Sequence, residues 1–287
     1  MQVSFIGLGA MGFPMAGHLS KAGHNVSVFN RTSATAKRWT STFTGKRYET
    51  PSAACKNANI VFICVGDDSD VREVVLGENG VLAGMPKGSI LVDHTTTSAN
   101  LAKQLYIQCL DLDIQFLDAP VSGGQAGAEN GKLTVMLGGE QATYDAIKPI
   151  LDCFSQKHEL MGSAGSGQLT KMVNQICIAG LVQGLSEALQ FAENAQLDIE
   201  KVINVISKGA AQSWQMENRW STMVNNDFDF GFAVDWMRKD LDIVLSEAKR
   251  NKSALPVTSL VDQFYAQVQA KGGNRYDTSS LITLLKK

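Results

Sequence analysis

At 287 residues, with 44% hydrophobic and 19% charged residues and a net charge of −2, the chain has the composition of a globular protein large enough for two cores. That balance excludes the basic footprint of a nucleic-acid binder. No run of eighteen apolar residues is present to span a membrane, and the N-terminus passes straight into a strand pattern, so a soluble cytoplasmic protein is the expectation. Five scattered cysteines without CxxC spacing, and four histidines (His18, His24, His94, His158) without ligand spacing, predict reduced thiols and no metal.

Residues 2–6 form a short apolar run, and Gly7-Leu8-Gly9-Ala10-Met11-Gly12 follows at once. Residues 11–22 then read as a helix stopped by Gly23, and 25–29 as a second strand. Strand, glycine turn, helix and strand within about thirty residues give GxGxxG its dinucleotide-binding context. In that setting Gly7 permits the tight turn, Gly9 admits a pyrophosphate against the backbone, and Gly12 lets the helix pack on the strand. The helix N-terminus offers N–H groups and a positive dipole end to the phosphates.

The end of the second strand carries Asn30-Arg31-Thr32 where an NAD site usually places Asp or Glu on the ribose 2′-hydroxyl. Arg31 can pair with a 2′-phosphate, and Asn30 and Thr32 can donate to it, so NADP is favoured over NAD. Residues 60–65 and 89–93 are further strands, the first turning through Gly66-Asp67-Asp68 into a helical segment, 71–76. Alternation of strands with helices predicts a doubly wound parallel sheet whose ligands bind outside the carboxyl ends. Cys64, Val65 and Thr96 fall at such ends. They either line the nicotinamide half of a cofactor or, for the threonine cluster after His94, cap the next helix.

Strand 114–117 runs into Asp118-Ala119-Pro120-Val121-Ser122-Gly123-Gly124. Ser122, Gly123 and Gly124 present a hydroxyl and unhindered N–H groups suited to a carboxylate, though such a loop alone is only a turn; Asp118 is read as a buried cap at most. Strands at 133–137 and 158–161 flank a helix near 141–154. The glycine- and serine-rich seam 162–167 marks the domain boundary, giving 1–162 and 163–287.

Beyond the seam, residues 167–196 read as one helix. Leu169, Met172, Val173, Ile176, Leu181, Leu185, Ala188, Leu189 and Ala192 recur at helical spacing, and Gly180 and Gly184 do not break it. Such a rod, apolar around most of its circumference, is expected between two bodies. Lys171, Asn174 and Gln175 share one face of it. A lysine there is paired, open to a cleft, or working. Helices at 199–207, 233–249 and 257–270 follow, with Asp198, Pro256 and Asp277 as start signals. Within the second, Lys239 and Asp240 interrupt an apolar pattern; a solvated charged turn accounts for them on spacing alone. Trp214, Met216, Arg219, Trp220, Phe230, Phe232 and Asp235 are candidates to close a pocket.

Four stretches in order, GLGAMGFPMA with NRT, DAPVSGGQAGA, GSGQLTKMVNQ and KDLDIVLSEA, resemble the β-hydroxyacid dehydrogenases over nearly the whole chain. That family includes 3-hydroxyisobutyrate dehydrogenase, tartronate semialdehyde reductase and the glyoxylate/succinic semialdehyde reductases. The resemblance implies an α/β protein with an N-terminal Rossmann doubly wound sheet, a long interdomain helix and an all-α C-terminal domain. It implies that Lys171 is catalytic, that Ser122, Gly123 and Gly124 bind the substrate carboxylate with help from Asn174 and Gln175, and that Lys239 closes over the cofactor. Several members carry Asn at the position of Gln175. Lys171 suits the reduction of an aldehyde, because a positioned cation both stabilises and protonates the developing alkoxide. Homodimers or homotetramers are expected. The rival readings are a 3-hydroxyisobutyrate dehydrogenase proper that uses NAD, and a nucleotide-binding module without turnover.

Overall fold

In the computed structural model, which describes residues 1–286, the chain divides into two compact units, Met1–Lys171 and Met172–Lys287. The first contains every strand found among the described residues: β1 Gln2–Ile6, β2 Asn25–Phe29, β3 Lys46–Arg47, β4 Ile60–Ile63, β5 Ile90–Asp93, β6 Gln115–Asp118, β7 Val121–Ser122, β8 Leu133–Gly139 and β9 Ser155–Leu160. Their order, β3-β2-β1-β4-β5-β6-β8-β7 with β9 also on β8, is parallel from β3 to β6 and turns antiparallel at β6–β8. The doubly wound sheet expected from alternating segments is therefore present, with a mixed extension at its far edge.

The central strands are apolar on both faces because helices cover both. Phe5, Val28, Phe62 and Val92 point into one buried cluster with the helix Gly12–Lys21, and Ile6, Val61, Ile63 and Leu91 into the other with the helix Ala99–Asp111. A continuous apolar run such as Ile60–Ile63 is the sequence signature of that double burial.

The loop expected after residue 117 is largely strand. Leu117 and Asp118 pair with Gly139 and Gly138, and Val121 and Ser122 pair with Val135 and Thr134 on the same unbroken register. β6 and β7 are thus one strand interrupted at Ala119-Pro120. Proline has no N–H to give, but its carbonyl still accepts from Met136 N at 3.1 Å, while Ala119 N turns to Asp93 O at 2.7 Å.

From Ser166 to Asn194 the chain is one helix of 29 residues, about 44 Å at 1.5 Å per residue. Gly180 and Gly184 lie inside it, tolerated because each costs only about 1 kcal/mol against alanine. The regular elements of the second unit among its described residues are helices: after the long helix come Ile199–Ile206, Trp214–Val224, Val234–Asn251 and Pro256–Ala270, then a 3-10 helix, Thr278–Leu284, with one isolated bridge between Ala233 and Asp277. Asp198 accepts Lys201 N and Asp277 accepts Ser279 N, as the start signals predicted. Its core is built on Val182, Val234, Met237, Leu241, Val261 and Tyr265, with a second cluster around Leu185, Ile203, Met216 and Met223.

Candidate functional site

The glycine turn after β1 is constrained where the motif demands glycine and open where a ligand would lie. Gly7 has φ +94°, and a Cβ on it would run into the Cys64 carbonyl; a Cβ on Gly12 would run into the Gly7 carbonyl and come within 2.9 Å of Phe5. Gly9 has no atom within 4 Å of that position. Leu8 is buried, whereas Gly9 and Ala10 are exposed and Met11 is half-buried. The helix Gly12–Lys21 begins with no side-chain cap and no acidic residue in its first turn. A shielded turn, an open Gly9 and an uncapped helix start fit a pyrophosphate.

Asn30 serves this turn directly. Its Oδ1 accepts Leu8 N at 2.8 Å and its Nδ2 donates to Thr32 O at 3.1 Å, so the carboxamide ties the end of β2 to the glycine loop. Arg31 extends into solvent and pairs with Asp70 at 3.0 Å. Asp70 also accepts Gly66 N. Thr32 precedes the helix Ser33–Thr42, makes no side-chain capping bond to it, and is followed by no acidic residue in the first turn.

Beside the glycine turn, the end of β4 is strapped to the end of β5 on one side and to β1 on the other. Thr95 Oγ1 accepts Val65 N at 3.1 Å, and Cys64 N donates to Ile6 O. Thr95 and Thr97 are buried and Thr96 between them is half-buried. The threonine cluster does not cap the next helix: Ser98 does, accepting Leu101 N, and Asp68 holds Ser98 in turn through its N–H and hydroxyl. His94 is stacked on Phe62, meets Phe154 edge-on and hydrogen-bonds Ala119 O through Nδ1; burial pulls its pKa down to about 4. The imidazole is a neutral core group.

Asp118 is the buried cap the sequence suggested, and it caps the longest helix. Its two oxygens accept Gly165 N at 2.7 Å and Gln168 N at 2.9 Å. Close approach there needs glycine on both sides. A Cβ on Gly167 would strike the Met136 carbonyl, and one on Gly138 would come within 2.5 Å of Asp118 Oδ1. Gln168, fully buried, then donates Nε2–H to Thr95 O at 2.8 Å and accepts Thr97 N at 3.0 Å through Oε1. Lys171 follows one turn later with only 7% of its surface exposed. Gln168 was not legible as a site residue, although it lies three residues before Lys171 on the same helical face; its partners are some seventy residues away in sequence.

Ser122 ends β7, half-buried, and Gly123 and Gly124 follow with φ of +127° and +61°. Nothing lies within 4 Å of a Cβ built on Gly124. A hydroxyl thus stands at a strand end, followed by two residues in conformations that side chains resist.

In the second unit, Asn174 donates to Gln175 Oε1 at 2.7 Å, Gln175 donates to Asp240 Oδ2 at 2.7 Å, and Asp240 Oδ1 lies 3.1 Å from Lys239 Nζ. Asp240 and Gln175 are buried, so the Lys239-Asp240 pair is not a solvated turn. Lys239 also lies over the Trp236 ring. Of the aromatic and polar candidates, Met216 belongs to the core and Asp235 is consumed by Gln269 and Asn274. Trp220 packs on the same cluster as Met216, and Phe232 on the other. Arg219 lies between Trp214 and Phe230 and pairs with buried Asp277 at 3.3 Å.

Comparison with known proteins agrees with this geometry. Residues 2–163 match the family model for the NAD binding domain of 6-phosphogluconate dehydrogenase, and 165–285 that for NAD-binding of NADP-dependent 3-hydroxyisobutyrate dehydrogenase. The chain is 63% identical to an uncharacterized oxidoreductase of Shewanella frigidimarina, over 100% of this chain and 98% of that one. It is 35% identical to the 2-hydroxy-3-oxopropionate reductase of Escherichia coli, over 100% and 97%. A solved Mycobacterium tuberculosis 3-hydroxyisobutyrate dehydrogenase with L-serine superposes with a TM-score of 0.90 at 27% identity, covering both chains fully. A glycine turn shaped for a dinucleotide, a buried lysine just inside a helix that starts at the strand ends, and matches over both halves have one common source: the chain belongs to the β-hydroxyacid dehydrogenase family, the NAD(P)-dependent oxidoreductases of hydroxy acids.

Proposed function

We propose that this protein reduces a short carboxylated aldehyde, such as glyoxylate, succinic semialdehyde or tartronate semialdehyde, to its hydroxy acid with NADPH, and that Lys171 is the general acid. The observation that carries the reading is Lys171 itself: a buried amine on the second turn of a helix whose first turn is fixed to the strand ends by Asp118 and Gln168. The reduced nicotinamide, when bound, supplies hydride. Lys171 gives a proton to the carbonyl oxygen as charge develops there, and takes one back from the hydroxyl in the reverse direction. Ser122, Gly123 and Gly124 receive the carboxylate; Asn174 and Gln175 assist at the substrate, and Lys239 at the cofactor.

For the cofactor, Gly7, Leu8, Gly9, Ala10, Met11 and Gly12 form the pyrophosphate turn, Cys64, Val65 and Thr96 border the nicotinamide half, and Arg31 with Thr32 faces the adenosine ribose. The absence of an acid at the end of β2 supports NADPH. Asp70 favours the second reading, NAD with 3-hydroxyisobutyrate, because it already holds Arg31 and presents a carboxylate beside it. A kinetic screen of glyoxylate, succinic semialdehyde, tartronate semialdehyde and methylmalonate semialdehyde with both reduced cofactors separates the two. The proposal predicts the highest kcat/KM for NADPH with one of the first three; preference for methylmalonate semialdehyde with NADH replaces it by the second reading, and no turnover with any pair leaves a nucleotide-binding module.

A homodimer or homotetramer in the cytoplasm completes the reading. Along the long helix Val173, Cys177, Leu181, Gly184, Ala188 and Phe191 form an exposed apolar ridge of about five turns, and an unpartnered stripe of that length is suited to a second copy.

A further inference from the structure

Gln168 grips the chain on both sides of one residue. Its carboxamide donates to the carbonyl of Thr95 and accepts the N–H of Thr97, two bonds that straddle Thr96. Only one orientation of the amide satisfies both, since the carbonyl needs a donor and the N–H an acceptor. The same residue's backbone N–H is held by Asp118, so neither end of Gln168 is free to shift. The flanking threonines are buried and Thr96 alone is turned partly outward. A fully buried, doubly bonded amide is worth more than its contribution to packing: it fixes the distance between the loop that carries Thr96 and the helical turn that carries Lys171.

We propose that Gln168 is a positioning residue that sets Thr96 against Lys171 for the hydride-transfer reaction. The inference rests on the assignment of Lys171 and Thr96 to that reaction. Gln168 touches no reacting atom; it acts by holding a two-part site at one spacing, and misplacement of a catalytic group by about 1 Å is enough to lose on the order of a hundredfold in rate. Its chemistry also predicts which replacements restore function. Glutamate is isosteric, but as a carboxylate it opposes the Thr95 carbonyl with a second oxygen. As a carboxylic acid it regains the O–H donor while keeping the acceptor for Thr97. Asp118, which accepts the Gln168 backbone N–H, and Asp93, which accepts the neighbouring Thr95 N–H, also disfavour the ionised form, while the Lys171 ammonium one turn along the helix favours it; burial and the Thr95 carbonyl set the balance toward the acid.

Four variants of the intact protein test this: Gln168→Leu, Gln168→Glu, Thr96→Ala and Gln168→Leu with Thr96→Ala, each assayed for kcat across pH and for NADPH binding by fluorescence. Gln168→Leu is expected to lower kcat by about tenfold or more with NADPH affinity nearly unchanged. The double variant is expected to be no slower than Thr96→Ala alone, because Gln168 acts through Thr96. Relative to the unaltered protein, Gln168→Glu should recover activity as pH falls, whereas Gln168→Leu should stand at a pH-independent ratio. If the two losses multiply and the glutamate variant shows no acid recovery, Gln168 is a packing residue and the proposal is wrong. Lys171→Ala run alongside keeps the two claims apart: an active lysine variant removes the reading of the site, while an inactive one beside unimpaired Gln168 variants removes only the positioning role.

Discussion

Two aspartates, Asp93 and Asp118, face each other as register partners at the ends of β5 and β6, and burial raises the pKa of both. Asp118, at about 6, is compensated by the helix N–H groups it caps. Asp93, at about 7, has one oxygen on Thr95 N and another with no hydrogen-bond partner. A carboxyl with a raised folded pKa stabilises the fold fully below its unfolded value, 3.8, and loses that contribution as pH rises to about 7. His94 has the opposite sign: its pKa falls from 6.5 to about 4, so the fold weakens as pH drops through that interval. The two slopes oppose each other between about pH 4 and 6.5. Asp93→Asn is therefore expected to make unfolding free energy rise more steeply with pH than in the unaltered protein, by up to about 1.4 kcal/mol per pH unit for the one group. Denaturant titrations at pH 4.5, 5.5, 6.5 and 7.5, chosen around those values, measure it; parallel curves for the two proteins would show that Asp93 is ionised throughout. A second residue-scale expectation concerns Arg31. Arg31→Gln should raise KM for NADPH by about tenfold, the scale of one charge-assisted contact, and change KM for NADH little. Equal effects on both cofactors would place Arg31 away from the 2′ position.

The start of the long helix is the element on which the proposed site depends. Three features converge there: Asp118 on its N–H groups, Gly167 packed against the Met136 carbonyl, and Gln168 in the threonine loop. Gly167→Ala should therefore displace the first turn. It is expected to lower Tm and kcat together, and a variant with unchanged melting and turnover would show that the strand edge yields to a methyl group. How much of this was legible follows the range of each interaction. The glycine turn was readable because its demands are local: a positive φ at Gly7 and close packing at Gly12. The long helix was readable from its period, since two glycines do not interrupt an apolar stripe. The continuation of β6 into β7 was not, because only register with β8 makes one strand of residues on either side of a proline. Of the two roles open to the threonine cluster, lining a cofactor or capping the next helix, the cap falls to Ser98 instead, because the capping signal is local but shared by four adjacent hydroxyl residues. Gln168 carried no signal, since a glutamine in a helix is ordinarily a solvated residue.

For the whole molecule, the exposed ridge on the long helix gives the proposed assembly a handle. Leu181→Glu puts a charge in the middle of the ridge and is expected to shift the protein to monomer in sedimentation, with Cys177, four residues before it, becoming reactive toward a thiol reagent. Cys55 and Cys109 should stay silent, because burial pushes both thiols up to about 12. Rapid labelling of Cys177 in the unaltered protein, with no change in mass on substitution, would mean that the ridge faces solvent.

Lys171 carries the chemical claim, and Lys171→Met tests it most directly, since methionine keeps much of the aliphatic volume and removes the ammonium. With NADPH and the best aldehyde from the screen, single-turnover oxidation of NADPH is expected to fall by at least about a thousandfold while NADPH binding stays within about twofold of normal. A variant that still oxidises NADPH at a substantial fraction of the original rate would contradict the account, because the proton would then come from another group.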